Sequence, residues 1–463
     1  MTLEVEAPGT YEPERRYILD VMLGDRLGLD WRLRFGERSD VRIVLAGDPS
    51  RYVVVPDLLF ATPTADWLTP SALPARPLAW RQAPDATGLG GRVPVLYGVE
   101  APDALIVPGP DGVELTVDVF GGAFFMLSRY EELVVPARDH HGRFAATSSL
   151  AYAEGFLGIP IVDAYAELLW SALQGLWPRL ERRARSFQLA LSHDVDQPLA
   201  LAGRGAPALV RQLGADLLMR RDAELAGRRL RSWAGLRRGD HTLDPYNTFD
   251  FLMDVSERHS IAGAFYFLAT EEISALDGPY TLEQPWIEAL IRRIHERDHE
   301  IGLHPSFETP LDPVLTEVEF SRLRDAAERQ GVSQERWGGR QHYLRWQNPV
   351  TWSNWEAAGL SYDSTVGYAD RIGFRAGTCH EFRPFHLLER RPLQLRERPL
   401  HVMDRTLFDY MKLSPDVASE KVLELARECR RYDGTFSLLC HNSSLPTNSQ
   451  KRWYEALIAG VAA

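Results

Sequence analysis

The feature that most limits what this 463-residue chain can fold into is a rhythm that starts at about residue 186. Short apolar runs (FQLALSHDVD, AGAFYFLAT, HEIGLH, WGGRQHY, LSYDST and GTFSLLCH) read as strands. Between them, Asn247 to Arg258, Leu282 to Arg297, Pro313 to Gln330 and Val417 to Arg431 read as helices. Asn348-Pro349 starts another helix through Ala358, with Asn as N-cap and Pro in the first turn. Strands alternating with helices of this length predict a parallel sheet, closed or open. Working residues in such sheets gather at the C-terminal ends of the strands, and the polar residues of this region fall there.

The first 185 residues have another texture. Pro56 to Pro108 is crowded with prolines and short apolar runs such as Val53-Val54-Val55 and Val95-Leu96-Tyr97, which suit short strands and irregular connections. LTVDVF alternates like a strand, Gly121-Gly122 breaks it, AFFMLSRYEELV reads as a helix, and Val162 to Trp177 as a buried one. This predicts a smaller α+β domain with no chemistry of its own. Arg182, Arg183 and Arg185 form a polar joint, so the expected division is 1–185 and 186–463.

Composition excludes several classes. With 45% hydrophobic and 25% charged residues the chain is not mainly disordered. A net charge of −12 argues against a nucleic-acid partner. Three cysteines (Cys379, Cys429, Cys440) lack the number and spacing for a disulfide framework or a zinc ribbon, and suit a reducing compartment. The acidic start is unlike a signal peptide, and no apolar run is long enough to span a bilayer. A cytoplasmic protein is expected, with attachment to the surface of the inner membrane left open.

Five strand ends carry polar clusters: His193 with Asp194 and Asp196; His304 with Glu308; Arg340 with His342; Asp363; and His441. Each such group costs roughly 1–3 kcal/mol if left desolvated and unpaired, so five in register point to a site. Their order resembles the NodB-homology polysaccharide deacetylases (carbohydrate esterase family four) over about residues 186–455. SHDVD resembles the first motif of that family, HEIGLHPSFE the second, GGRQHY the third, YDST the fourth and SLLCHN the fifth. With FFMLSRYEE in the preceding domain, the set looks like a bacterial subgroup linked with surface-polysaccharide genes.

The resemblance implies a distorted (β/α) barrel after the smaller α+β domain. It implies an N-deacetylase with one divalent metal, zinc foremost, with Mn, Fe or Co as alternatives, acting on an acylated amino sugar. Carried over, Asp194 is the catalytic base, Asp196 and His304 are metal ligands, and Arg340 holds Asp194 ionised. His441 is the general acid, Asp363 its partner, and a backbone N–H near Tyr343 binds the oxyanion. These roles make physical sense: residues two apart on a strand share a side, a fixed cation favours the ionised carboxylate, and an imidazole can protonate a leaving amine.

Two departures stand out. The second metal histidine of the family falls, by spacing, at Glu308. Either Glu308 ligates, or His342 swings in to restore a two-histidine site, or the metal is lost. Two carboxylates would neutralise the ion and make its water less acidic. Metal retention is expected, with His342 preferred to Glu308. The second departure is a basic insertion, 201–240, with nine arginines (204, 211, 220, 221, 228, 229, 231, 237 and 238) against Asp216, Asp222 and Glu224 in residues 201–239. It predicts an amphipathic helix resting on an anionic membrane or lipid carrier, or else packing on the first domain or a partner subunit.

Two rival functions remain at this stage, a non-catalytic glycan-binding scaffold and a hydrolase of a non-sugar C–N bond. His193 and His299 are expected to be structural and Cys440 a buried apolar residue. Trp337, Trp346, Trp352 and Trp355 suit either sugar stacking or the core.

Overall fold

A computed structural model of the full chain describes every residue except 90, 102, 201–205, 220, 237 and 272–275. Arg204, Arg220 and Arg237 of the basic insertion therefore lie outside the described residues.

The N-terminal α+β domain is built on a mixed six-stranded sheet in the order Asp30–Gly36, Thr2–Pro8, Asp40–Leu45, Asp48–Pro56, Gly112–Leu115 and Ile106–Pro108. Helices Val119–Leu127 and Ile161–Leu176 are largely buried. The expected strand LTVDVF stops at Leu115, and Asp118 instead caps a helix by accepting the N–H of Gly121 at 2.7 Å. Gly121-Gly122 thus lies inside a helix. A Cβ on Gly122 would come within 2.6 Å of the Tyr165 ring, so the absence of a side chain permits close packing there. The helix expected across AFFMLSRYEELV is broken at Arg129, whose φ is 51°.

The second sheet has eight strands, all parallel, in the order Arg396–Glu397, Tyr362–Asp363, Gly338–Gly339, Glu300–His304, Ala264–Leu268, Gln188–Val195, Thr435–Leu439 and Val402–Met403. Laid flat, seven inter-strand spacings would separate its edges by about 34 Å. Yet the two edge strands are consecutive in the chain, joined by residues 398–401 alone, which reach at most about 18 Å. The sheet must curl into a barrel with a gap. The short link fills that gap: the Arg398 N–H donates to the Asp363 carbonyl, that of Leu400 to Val366, and that of His401 to Ser437. This is the distorted (β/α) barrel expected from sequence. On the strand Gly338–Gly339, a Cβ on Gly339 would lie 1.8 Å from the Leu303 carbonyl, so only glycine admits this approach.

The helix after Asn348-Pro349 begins at Val350 with Pro349 as its cap residue. Asn348 caps nothing. Its amide donates to the carbonyls of Ser128 and Arg129 at 2.8 and 2.9 Å, tying the barrel to the first domain. That seam also buries an ion-pair network in which Arg375 grips Glu132 at 2.6 Å and Arg129 meets the same carboxylate at 2.9 Å. Trp346, Trp352 and Trp355 are at most 2% exposed, so they are core residues and unavailable for sugar stacking.

The described part of the insertion forms two helices, Ala206–Gly214 and Ala223–Leu236, joined through a π-turn at Ala215–Met219. A buried Arg229–Asp216 ion pair at 2.6 Å locks them together. No helix among the described residues is long and apolar enough to cross a membrane.

Candidate metal centre and active site

Strand Gln188–Val195 delivers the SHDVD cluster at its C-terminal end. His193 points into the core, fully buried, with its Nδ1–H donated to the Cys440 carbonyl at 2.7 Å. Asp194 and Asp196 line a cavity of about 570 Å3 together with His304, His342, Tyr343, Arg405, Tyr410 and His441. The cavity lies across the C-terminal ends of the central strands. A larger hollow of about 660 Å3, along helix Pro415–Arg431, shares no residue with this cluster.

Asp194 is 2% exposed, and Arg340, which follows strand Gly338–Gly339, holds it through Nη1 at 2.8 Å. The other guanidinium donors go to the Ser364 carbonyl and to the Ser192 and Ser364 hydroxyls at 2.9–3.0 Å, so the arginine cannot swing away. Asp196 Oδ1 is a buried carboxylate oxygen that no hydrogen-bond donor satisfies. Facing it are His304 Nε2 at 3.1 Å and His342 Nε2 at 3.6 Å.

The opposite ring nitrogens explain this arrangement. His304 Nδ1–H donates to the Arg340 carbonyl at 2.6 Å, and His342 Nδ1–H donates to the Asp277 carboxylate at 2.9 Å. With their protons fixed on Nδ1, both imidazoles turn Nε2 lone pairs toward a carboxylate oxygen. Ligand atoms of Asp196, His304 and His342 all lie within 4.8 Å of one another. Three acceptors converging without a donor fit a divalent cation, and one carboxylate with two imidazoles is a donor set such ions take. Burial alone would raise Asp196, but His342, His304 and His441 hold it well below the usual carboxylate range. Burial opposes charge on His304, and Asp194 and Asp196 outweigh it to raise that imidazole.

Glu308 does not join them. The chain turns after Pro305, and Glu308 lies exposed at the start of the short helix Thr309–Leu311, outside the converging set. His342 occupies the place that spacing offered to Glu308.

His441, two residues beyond strand Thr435–Leu439, places Nε2 at 3.5 Å from Asp196 Oδ2. Its partner is not Asp363. Asp404, one residue past strand Val402–Met403, accepts the His441 Nδ1–H at 2.7 Å and its backbone N–H at 3.0 Å. Burial works against the imidazolium, but Asp404, then Asp196 and Asp194, push His441 up to about 9. Asp363 lies behind Arg340 instead. It accepts the Thr365 N–H at 3.0 Å and the Thr365 hydroxyl, and burial pushes it up to about 7. It is paired in register with Glu397 on the neighbouring strand, so two carboxylates share a dry site on the far side of the arginine.

Tyr343 follows His342 with φ 60°, and Leu344 follows with φ 55°. The sequence reading missed Asp404, Asp277 and Arg143. For Asp404 the available signal was an apolar pair ending in Asp, HVMD. Asp277 lies in a loop with no motif, and Arg143, which also lines the cavity, lies in the domain from which no chemistry was expected.

Residues 3–178 match a family model described as a family of unknown function, DUF7033. No curated protein matches the chain. The structure is similar to one from Mycobacterium smegmatis described as a polysaccharide deacetylase, at 19% identity and TM-score 0.41, over 61% of this chain and 85% of that one. It is also similar to the Xyl-CE4 domain of a multidomain xylanase from the hindgut metagenome of Trinervitermes trinervoides, at 11% identity and TM-score 0.29, over 60% and 83% of the two chains.

Proposed function

We propose that the chain is a metal-dependent N-deacetylase that hydrolyses the amide of an acylated amino sugar in a surface-polysaccharide or glycolipid precursor. The observation that carries this reading is the convergence of Asp196 Oδ1 with two imidazole nitrogens whose tautomers are fixed from behind, next to an arginine-clamped Asp194. Asp196, His304 and His342 would hold the ion, with zinc the first choice for this donor set. When bound, such an ion polarises the substrate carbonyl and makes water acidic enough to serve as nucleophile near neutral pH.

The chain's own residues do the rest. Asp194 accepts the proton of the attacking water as its oxygen bonds to the amide carbon, and Arg340 keeps that carboxylate ionised and oriented until then. The backbone N–H of Tyr343 donates to the oxyanion. His441, held protonated by Asp404, gives its Nε2 proton to the nitrogen as the C–N bond breaks. The free amine and the carboxylic acid leave, the acid ionises, and Asp194 loses its proton to solvent while His441 regains one from it.

We place the boundary of the catalytic domain at residue 185. The exposed face of the inserted helices supports contact with an anionic membrane. Val210, Leu217, Leu218 and Met219 are 51–83% exposed there, alongside exposed Arg211, Arg221, Arg231 and Arg238.

The test is acetate or formate release from N-acylated amino sugars by the zinc-loaded full chain and by Asp194→Asn. The variant should keep its metal and its fold and lose turnover. Unchanged rates in Asp194→Asn would reject Asp194 as the base. Metal-free protein that binds glycan without cleaving it would reject the enzyme altogether.

A further inference from the structure

Tyr343 and Leu344 are consecutive residues with side chains and positive φ. Side chains disfavour this left-handed region, so contacts outside the segment must hold both residues there. The barrel supplies some, as where Phe307 packs on Tyr343 with centroids 5.3 Å apart, and the first domain supplies the rest. Arg143 Nη1 donates to the Tyr343 carbonyl at 3.0 Å, and its Nη2 donates to the Tyr410 hydroxyl at 3.1 Å. Two residues on, Arg345 Nε donates to the His141 carbonyl at 2.9 Å, and the His141 ring packs on that of Tyr343 with centroids 4.8 Å apart.

The turn that supplies these groups, Asp139-His140-His141-Gly142-Arg143, is itself rigidly built. One Asp139 oxygen accepts the N–H groups of His141 and Arg143, both at 2.9 Å, and the other accepts Arg143 Nε at 2.8 Å. Gly142 takes the left-handed conformation at φ 77°, which a side chain would strain. Arg143 is 5% exposed, with its charge answered by Asp139 and its remaining donors spent on two residues that line the cavity. Among the described residues of 1–185, it alone reaches that lining.

We propose that the turn Asp139–Arg143 is a component of the active site and that Arg143 is its positioning residue. By holding the Tyr343 carbonyl it keeps the backbone after His342 in its left-handed path. That path aims His342 Nε2 at Asp196 and presents the Tyr343 peptide to the cavity. The first domain, matched by a family model with no assigned function, thereby has a task, which is to complete the site of its neighbour. The proposal rests on the metal-site reading for what His342 does, but the contact it invokes does not.

The experiment uses full-length Arg143→Ala, Arg143→Lys and Asp139→Asn, with zinc alone as the probe. Zinc affinity is read by chelator competition, and amide hydrogen exchange is followed across residues 342–346. Arg143→Ala should weaken zinc binding by roughly ten- to a hundredfold, as loss of a group that orients a ligand does elsewhere. Exchange should quicken at 342–346 while the rest of the barrel keeps its protection. Lysine should restore part of the loss, because it supplies the charge but reaches one acceptor rather than two. Asp139→Asn, whose partly exposed site tolerates the change, should shift both readouts the same way by less. Unchanged zinc affinity and exchange in Arg143→Ala would overturn the proposal. So would faster exchange across the whole barrel, which would make the contact merely structural. A wild-type chain that holds no zinc would instead sink the hydrolase reading, and exchange at 342–346 would still decide this one.

Discussion

Among the described residues, two places gather three potential ligand atoms, a carboxylate and an imidazole among them, within 4.8 Å of one another. One is Asp196 with His304 and His342; the other is Asp163 with Cys379 and His380, where the first domain meets the barrel. Both are enclosed, and proximity alone does not tell them apart. Donor and acceptor accounting does. The carboxylate of Asp163 is already supplied, taking the Thr378 hydroxyl at 2.9 Å, the Cys379 N–H at 2.8 Å and its thiol at 3.1 Å, with Arg26 at 3.5 Å. Burial pushes the Cys379 thiol up, away from the thiolate a metal needs. At Asp196 Oδ1, by contrast, two imidazole nitrogens face an oxygen that no hydrogen-bond donor satisfies. The Asp163 cluster is a joint between domains, and the Asp196 cluster has the arrangement a divalent cation would fit.

The largest effect that would sharpen this contrast is on metal content. Asp196→Ala should abolish zinc retention, whereas Asp163→Ala should leave it at the wild-type level; zinc loss on replacing Asp163 would break the distinction. Next comes stability. Asp163 is fully buried beside a cation, so Asp163→Ala should lower unfolding free energy by about 3 kcal/mol in denaturant titration, with Asp196→Ala costing far less.

A smaller effect is on pH dependence. His441 is raised to about 9 from an ordinary value near 6.5, so its proton, and the stability it confers, are fully present below about 6.5 and are lost as pH rises through 9. Turnover should decline on that basic limb. Asp404→Asn should bring the limb down by roughly 1–2 units, measured as kcat against pH, while Asp363→Asn should leave it in place. The smallest effect is at the inserted helices. Leu218→Ser with Met219→Ser should weaken sedimentation with anionic vesicles by about tenfold and leave hydrolysis of a soluble substrate unchanged.

Much of the barrel could be read in advance because its central strands are apolar on both faces and end abruptly in polar residues, as at SHDVD and HEIGLH. Asp194, Asp196, His304, Arg340 and His441 stand out for that reason. Asp404 did not, because its strand is two residues long and carries no periodicity. Spacing suggested Glu308 as a ligand, but a turn after Pro305 carries it away, and no local pattern reveals which way a chain turns. Asn348 has the chemistry of a helix cap and is recruited by carbonyls of Ser128 and Arg129 instead. Arg143 meets Tyr343 across 200 positions of sequence, a pairing that only the packed domains create.

The four-residue link at 398–401 has a consequence of its own. It is the hoop that keeps an incompletely closed stave-work from spreading, and Asp404 lies just past it while Asp363 lies on the strand beside the one it leaves. Lengthening the hoop by a few residues would leave every stave intact yet let the two flanks drift apart, loosening the grip of Asp404 on His441 without touching either residue. Among the loops at this rim, it is the one where an insertion should be tolerated least.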